Sequence, residues 1–322
     1  MLDPRIAAMT QAARAAGAPD LCDLPPAAAR GLYRQILAAA DRPPCDVGVQ
    51  DAQAHDDSDA GSARVPLRIY SPGGDGPHAL VVYYHGGGYA LGDLDGYDAV
   101  CRQLCADSGA VVVSVGYRLA PEHPYPAAAD DAWTALRWVA AHASDWNADA
   151  GRLAVAGDSA GAVLATVVAI LARDARGPRI AFQAMLYPPA AGGHDGAYPS
   201  RDRHADGPTL TLRTMHYFSR LAFGPEGRAR DFRGAPLLAD DLSALPAGLV
   251  MVAAHDPLRD EAVAYGEALA LAGDDVTVVE YLGLPHGFIS MAGAVPAARA
   301  AQLQLGHALR EALAPAPAGE SA

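Results

Sequence analysis

The chain has 322 residues, 51% of them hydrophobic and 19% charged, enough for one large α/β domain with an embellishment or for two small domains, and a sizeable buried core is expected. Its net charge of −13 disfavours nucleic acid and anionic membrane surfaces as partners, because phosphate binding needs clustered basic residues. There is no lysine, so all 24 basic residues are arginines; this excludes a P-loop of the usual kind, a lysine Schiff base and a serine–lysine dyad.

In chain order, Asp3 to Ala16 and Pro26 to Ala40 read as helices, the second with proline in its first turn and a packing stripe at Leu32, Ile36 and Leu37. Pro43 to Gly61 is polar and acidic and reads as a connection, with a short strand at Cys45 to Val49. Arg64 to Tyr70 alternates as a half-exposed strand does, and Gly73 to Pro77 is a turn. Strands and helices then alternate: strand Ala79–Tyr84, helix Tyr97–Asp107, strand Ala110–Val115, helix Ala128–Ser144, strand Arg152–Ala156, helix Ala162–Ala172, strand Ile180–Tyr187. Such alternation predicts a largely parallel sheet with helices on both faces. It lapses from about Pro188 to Leu245, where one helical stretch, Leu210 to Phe223, carries Leu212, Met215, Phe218 and Phe223. An excursion of that length between two strands is usually a lid or binding insertion. The pattern resumes with strand Gly248–Ala254, helix Glu261–Ala272, strand Val276–Tyr281 and helix Ala297–Leu313, before a Pro/Ala tail expected to be disordered.

Cys101 and Cys105 are four apart, but no second pair with zinc-site spacing accompanies them, so buried free thiols are expected and no metal. The amino terminus lacks a basic stretch followed by an apolar one, and the longest apolar run is too short to span a bilayer. A cytoplasmic protein with reduced thiols is the resulting expectation.

The chemistry centres on Gly157-Asp158-Ser159-Ala160-Gly161, set between the apolar run ending at Ala156 and the alanine-rich helix. Strand, G-x-S-x-G and helix form a nucleophile elbow, in which a sharp turn strains the serine and leaves no room for flanking side chains. A serine hydroxyl needs an adjacent base, and the base an orienting acid. In open α/β sheets these belong just beyond the carboxyl ends of strands. Asp256 follows one such strand by two residues, and His286, in Gly283-Leu-Pro-His-Gly-Phe288, follows another by five. Ser159, Asp256, His286 is the order expected of an α/β-hydrolase. Of the rivals, His307 lies within a helix, while Asp260 and Glu261 read as first-turn residues favouring a helix dipole. His85-Gly86-Gly87-Gly88 follows the strand ending at Tyr84, and consecutive glycines let main-chain N–H groups approach a developing oxyanion, with the Ala160 N–H as a further donor. Read instead as a dinucleotide loop, Gly86-x-Gly88-x-x-x-Gly92 has the wrong spacing, and Asp93 and Asp95 put negative charge where phosphates would sit. Met215, Phe218 and Phe288 are candidate pocket residues.

HGGG before GDSAG, then DPLRDE and HGF, with Tyr117-Arg-Leu-Ala-Pro-Glu-His-Pro-Tyr-Pro126 between, resembles the bacterial hormone-sensitive-lipase-like carboxylesterases across nearly the whole chain. The resemblance implies an α/β-hydrolase fold, a mostly parallel eight-stranded sheet with helices on both faces and a helical cap. The core would be 46–189 and 241–314, the cap 1–45 plus the inserted 190–240, and the tail 315–322. It implies Ser159 as nucleophile, His286 as general base and acid, and Asp256 as orienting acid. Gly87, Gly88 and Ala160 would supply the oxyanion hole, with His85 bracing the loop and Gly86 and Asp158 as motif support. The family often has a second glycine where this chain has Ala162, and the aromatic that commonly follows HGGG is Tyr89, whose hydroxyl makes the pocket more polar than phenylalanine would. The activity implied is hydrolysis of small esters with short to medium acyl chains, without metal or organic cofactor. The same triad also serves acyltransferases and amidases, and related plant hormone receptors keep the scaffold but lack the histidine. The resemblance also allows a homodimer joined at a sheet edge.

Overall fold

The computed structural model describes residues 1–56, 63–194 and 196–315. The apolar runs form an eight-stranded sheet in the order β1-β2-β4-β3-β5-β6-β7-β8. Its strands are β1 (Gly48–Ala54), β2 (Val65–Ser71), β3 (His78–Tyr84), β4 (Val111–Val115), β5 (Ala148–Asp158), β6 (Ile180–Leu186), β7 (Ala247–His255) and β8 (Val276–Pro285). Strand β2 runs antiparallel to both its neighbours, and β4, β3 and β5 to β8 are parallel. The helices are α1 (Pro4–Ala15), α2 (Pro26–Ala40), α3 (Asp98–Ser108), α4 (Ala127–Ala141), α5 (Ala160–Asp174), α6 (Pro199–Arg203), α7 (Leu212–Phe223), α8 (Arg259–Leu271) and α9 (Pro296–Ala312).

Strand periodicity divides the core. In β3, Val81 and Tyr83 pack with Val100 and Leu104 of α3 and Leu305 and Leu309 of α9, whereas Leu80, Val82 and Tyr84 face α4 and α5 on the opposite side. A strand covered on both faces needs an unbroken apolar run, which is why β3 and β4 were legible. Ala162 is fully buried beside Val250 and Val252, so its methyl is accommodated between α5 and the sheet.

Three expectations require correction. The first strand is not at 45–49 but at Gly48–Ala54, with most of its residues exposed. It is an edge strand held by backbone pairing with β2, and such pairing leaves no apolar pattern to read. Ile36 is 48% exposed and does not share the packing face of α2, which is made by Ala29, Leu37 and Ala40. The excursion between β6 and β7 contains the short helix α6 as well as α7. The end of the acidic connection, Asp57 to Gly61, and all but the first residue of the expected disordered tail lie outside the described residues. Among the described residues no helix is long and apolar enough to cross a membrane.

The N-terminal segment and the β6–β7 excursion meet. Arg213 and Thr214 of α7 bind Asp20 and Asp23 beside α2, and Phe218 packs with Ala29, Ala90 and Leu91. The excursion is pinned at its base to α8: buried Glu261 accepts from the Arg201 guanidinium and the Ala191 N–H, and Asp260 accepts from the Ser200 N–H. Asp260 and Glu261 do begin the helix, but they serve as anchors for the insertion as well as dipole partners.

Candidate active site

Ser159 sits between β5 and α5 with φ +53° and ψ −121°, a conformation that costs about 1–3 kcal/mol for a residue with a side chain. Its neighbours explain the glycines. A Cβ on Gly161 would lie 1.9 Å from the Tyr84 carbonyl oxygen, and one on Gly157 would lie 2.3 Å from the Gly161 carbonyl oxygen. The backbone of β3, β5 and α5 thus touches directly at the elbow.

The loops after β7 and β8 deliver the other two groups. His286 Nε2 is 2.9 Å from Ser159 Oγ, and its Nδ1 is 2.7 Å from Asp256 Oδ2. Asp256 is fully buried, and its Oδ1 accepts from the Leu258 N–H at 2.9 Å. With one carboxylate oxygen held by the main chain and the other facing Nδ1, the imidazole is fixed with its proton on Nδ1 and Nε2 free to accept from serine. Because β7 and β8 run on to His255 and Pro285, Asp256 and His286 each follow their strand directly rather than after a gap. Gly287, at φ +77°, lets the chain turn away behind the imidazole. His307 lies exposed on α9.

Across the serine, Gly87 and Gly88 take positive φ values of +121° and +58°. Among the described residues no acceptor is bound by the N–H groups of Gly87, Gly88 or Ala160. His85 is buried, its Nδ1 donating to the Gly86 carbonyl at 2.8 Å while its ring stacks on Tyr117 at 4.3 Å. Burial pulls its pKa down to about 4, so it is a neutral brace. No helix begins until Asp98, which leaves the dinucleotide reading without the helix N-terminus it requires.

A cavity opens over Ser159, about 850 Å³ when its solvent-filled mouth is included. Tyr89, Met215 and Phe218 line it. Phe288 does not: it is fully buried in the core, 4.9 Å from the Tyr187 ring, and Gly287 forms the wall there. Periodicity could not assign it, since an aromatic after a turn glycine can face either way. The sequence reading also missed Leu21 and Tyr33 from the N-terminal segment and Phe223 from α7. It missed Thr209 too, whose hydroxyl donates to the His286 carbonyl at 2.8 Å. Their only signal was membership of segments outside the alternation.

A family profile described as the alpha/beta hydrolase fold matches residues 81–290. The chain belongs to that family, in its hormone-sensitive-lipase-like branch of carboxylic ester hydrolases. It is similar to Esterase LipI of Mycobacterium tuberculosis, 49% identical over 68% of each chain, and to the Ethyl acetate hydrolase of Pseudomonas putida, 36% identical over 86% of each. Among solved structures, a hyperthermophilic esterase from the archaeon Pyrobaculum calidifontis is 36% identical and superposes with a TM-score of 0.88, covering 97% of this chain and 99% of that one.

Proposed function

We propose that the protein hydrolyses small esters with short to medium acyl chains through an acyl-enzyme on Ser159. The observation that carries this is the unbroken hydrogen-bonded chain Ser159–His286–Asp256 facing unpartnered N–H groups. Ser159 Oγ attacks the ester carbonyl as its proton passes to His286 Nε2, and Asp256 holds the resulting imidazolium. The carbonyl oxygen becomes an oxyanion received by the N–H groups of Gly87, Gly88 and Ala160. The intermediate collapses, His286 returns the proton to the departing alkoxide, and the alcohol leaves. Water then attacks the acyl-enzyme by the same route, regenerating Ser159 and releasing the acid. No step calls on a metal or cofactor.

The cap, read as residues 1–45 and 190–240, roofs the reacting centre, a role supported by Leu21, Tyr33, Met215 and Phe218 in the cavity wall. The cavity wall is mostly apolar around the triad, as a small acyl group requires, and the similar Ethyl acetate hydrolase is named for a short ester. The test is hydrolysis of p-nitrophenyl esters of increasing acyl length. Turnover should be highest from acetate to about octanoate, and an enzyme inert on all of them refutes the reading. Adding an alcohol acceptor to the assay separates hydrolase from acyltransferase, since only a transferase diverts the acyl group from water at low acceptor concentration.

We further propose a cytoplasmic homodimer. The unpaired cysteines suit a reducing compartment. Strand β8 is the last in the sheet and carries the 71%-exposed Leu282, an open edge of the kind that pairs with a second copy. Light scattering should give a dimer that Leu282→Arg dissociates, and a monomeric wild type at micromolar concentration would refute it.

A further inference from the structure

Asp158, the residue before the nucleophile, is buried and has no arginine partner among the described residues. Its oxygens are held by hydroxyl and amide donors. Oδ1 accepts from the Tyr83 hydroxyl at 2.9 Å and the Gly86 N–H at 2.8 Å. Oδ2 accepts from the Tyr97 hydroxyl at 3.1 Å and, more weakly, from that of Tyr187 at 3.5 Å. The Tyr97 oxygen in turn receives a second bond from the Gly86 N–H and lies 3.1 Å from the Tyr33 hydroxyl. With the Tyr97 hydrogen committed to Asp158, Tyr33 must be the donor in that pair, and Tyr33 lines the substrate cavity.

A buried carboxylate without a counter-cation is a poor way to fill a core, since an amide or an apolar side chain avoids the cost of desolvating the charge. What the carboxylate does here is local. It draws the Gly86 N–H inward, so that this donor faces away from the cavity while the next two glycines carry the unpartnered N–H groups. One peptide bond separates the carboxylate-bearing residue from Ser159, so one short lever spaces nucleophile and glycine loop. A Cβ on Gly86 would fall 2.4 Å from Asp158 Oδ2, so the loop lies directly on the carboxylate.

We infer that Asp158 is a positioning residue that sets the oxyanion loop against Ser159, and that Tyr33, through Tyr97, extends this network to the wall of the substrate cavity. The inference rests on the acyl-enzyme reading above. The groups facing the carboxylate are Tyr83, Tyr97 and Tyr187, with Tyr33, Tyr117, Cys101 and His286 in the next layer.

The test measures kcat per active site, titrated with a fluorophosphonate, beside inhibition by a trifluoromethyl ketone. Ser159 adds reversibly to that ketone, its proton passing to His286, and the adduct oxygen occupies the oxyanion site. Asp158→Ala should lower kcat by about 10²–10³-fold with KM within about threefold, and weaken the ketone by the same factor as kcat. Asp158→Asn keeps one acceptor oxygen but loses the charge that strengthens its bonds, and should lose about tenfold in both. A kcat for Asp158→Ala within about threefold of wild type overturns the inference, as does a large loss of kcat with undiminished ketone affinity. Should Asp158→Ala fail to fold, the isosteric Asp158→Asn decides: a loss below about fivefold overturns, and a larger one matched in ketone affinity supports. All of this requires an active wild type. A wild type that neither turns over esters nor reacts with the fluorophosphonate refutes the esterase reading instead.

Discussion

Ser159 is held in a backbone conformation that glycine would adopt more readily, and contacts too short for any Cβ at Gly157 and Gly161 keep it there. The strain belongs to the backbone, so truncating the side chain does not release it. Ser159→Ala should therefore abolish ester turnover while leaving the melting temperature within about 2 °C of wild type, as checked by calorimetry. Full activity in that variant would move the nucleophile elsewhere. Asp256→Asn keeps the shape of the acid but offers an amide to Nδ1, which favours the wrong tautomer, and kcat should fall by about 10⁴-fold with far-UV dichroism unchanged. Gly161→Ala presents a different case, because its methyl would meet main-chain carbonyls that cannot swing aside. That variant should fail to accumulate as soluble protein, and normal expression with normal melting would show that the elbow can relax.

At the scale of elements, the excursion between β6 and β7 is useful only if its base is fixed to the sheet that carries the triad. The Arg201–Glu261 pair makes that attachment, with Glu261 buried and the Arg201 guanidinium 2.9 Å away. Burial raises the Glu261 pKa, and the nearby arginine works against that shift. Removing the cation leaves a buried carboxylate with little beyond the Ala191 N–H, which typically costs about 3–5 kcal/mol. Arg201→Met should accordingly shift the urea midpoint well below wild type, whereas Arg213→Ala, which breaks an exposed pair with Asp23, should move it by less than about 1 kcal/mol equivalent. Equal shifts in the two variants would show that burial does not set the difference.

For the whole molecule, the buried acids give stability a definite pH dependence. Burial pushes the Asp158 pKa up from 3.8 to about 6 despite its hydrogen bonds, and Asp41 is raised to about 6 for the same reason. Between those values the native state holds protons that the unfolded chain has released. The contribution of Asp158 is thus greatest below about pH 4 and is lost as pH rises through about 6. Asp158→Asn lacks this titration. Relative to wild type it should gain up to about 3 kcal/mol between pH 4 and 7.5, read from denaturant midpoints at the two pH values. A difference between the two proteins that does not change with pH would contradict this. The pH-dependent gain in Asp158→Asn, a variant also expected to lose turnover, would place a stability cost beside a functional gain at one residue.

Much of this was legible in the chain alone. Strands buried on both faces must be continuously apolar, so β3, β4, β5 and β7 could be read directly. The elbow motif needs its glycines for steric reasons, and acid and base fall just after strands because a parallel sheet gathers its carboxyl ends at one edge. Those constraints act over a few residues and leave a local trace. What lacked a trace depended on partners far along the chain. Strand β1 is defined by the backbone of β2, Phe288 turned inward because Tyr187 and Tyr281 offered a core beneath it, and Tyr33 reached the cavity because α2 lies against Tyr97. The sequence alone therefore determined which groups could react and in what order they occur. Only the tertiary structure decided what surrounds them, because the walls of a cavity and the donors to a buried carboxylate come from residues whose proximity no local pattern records.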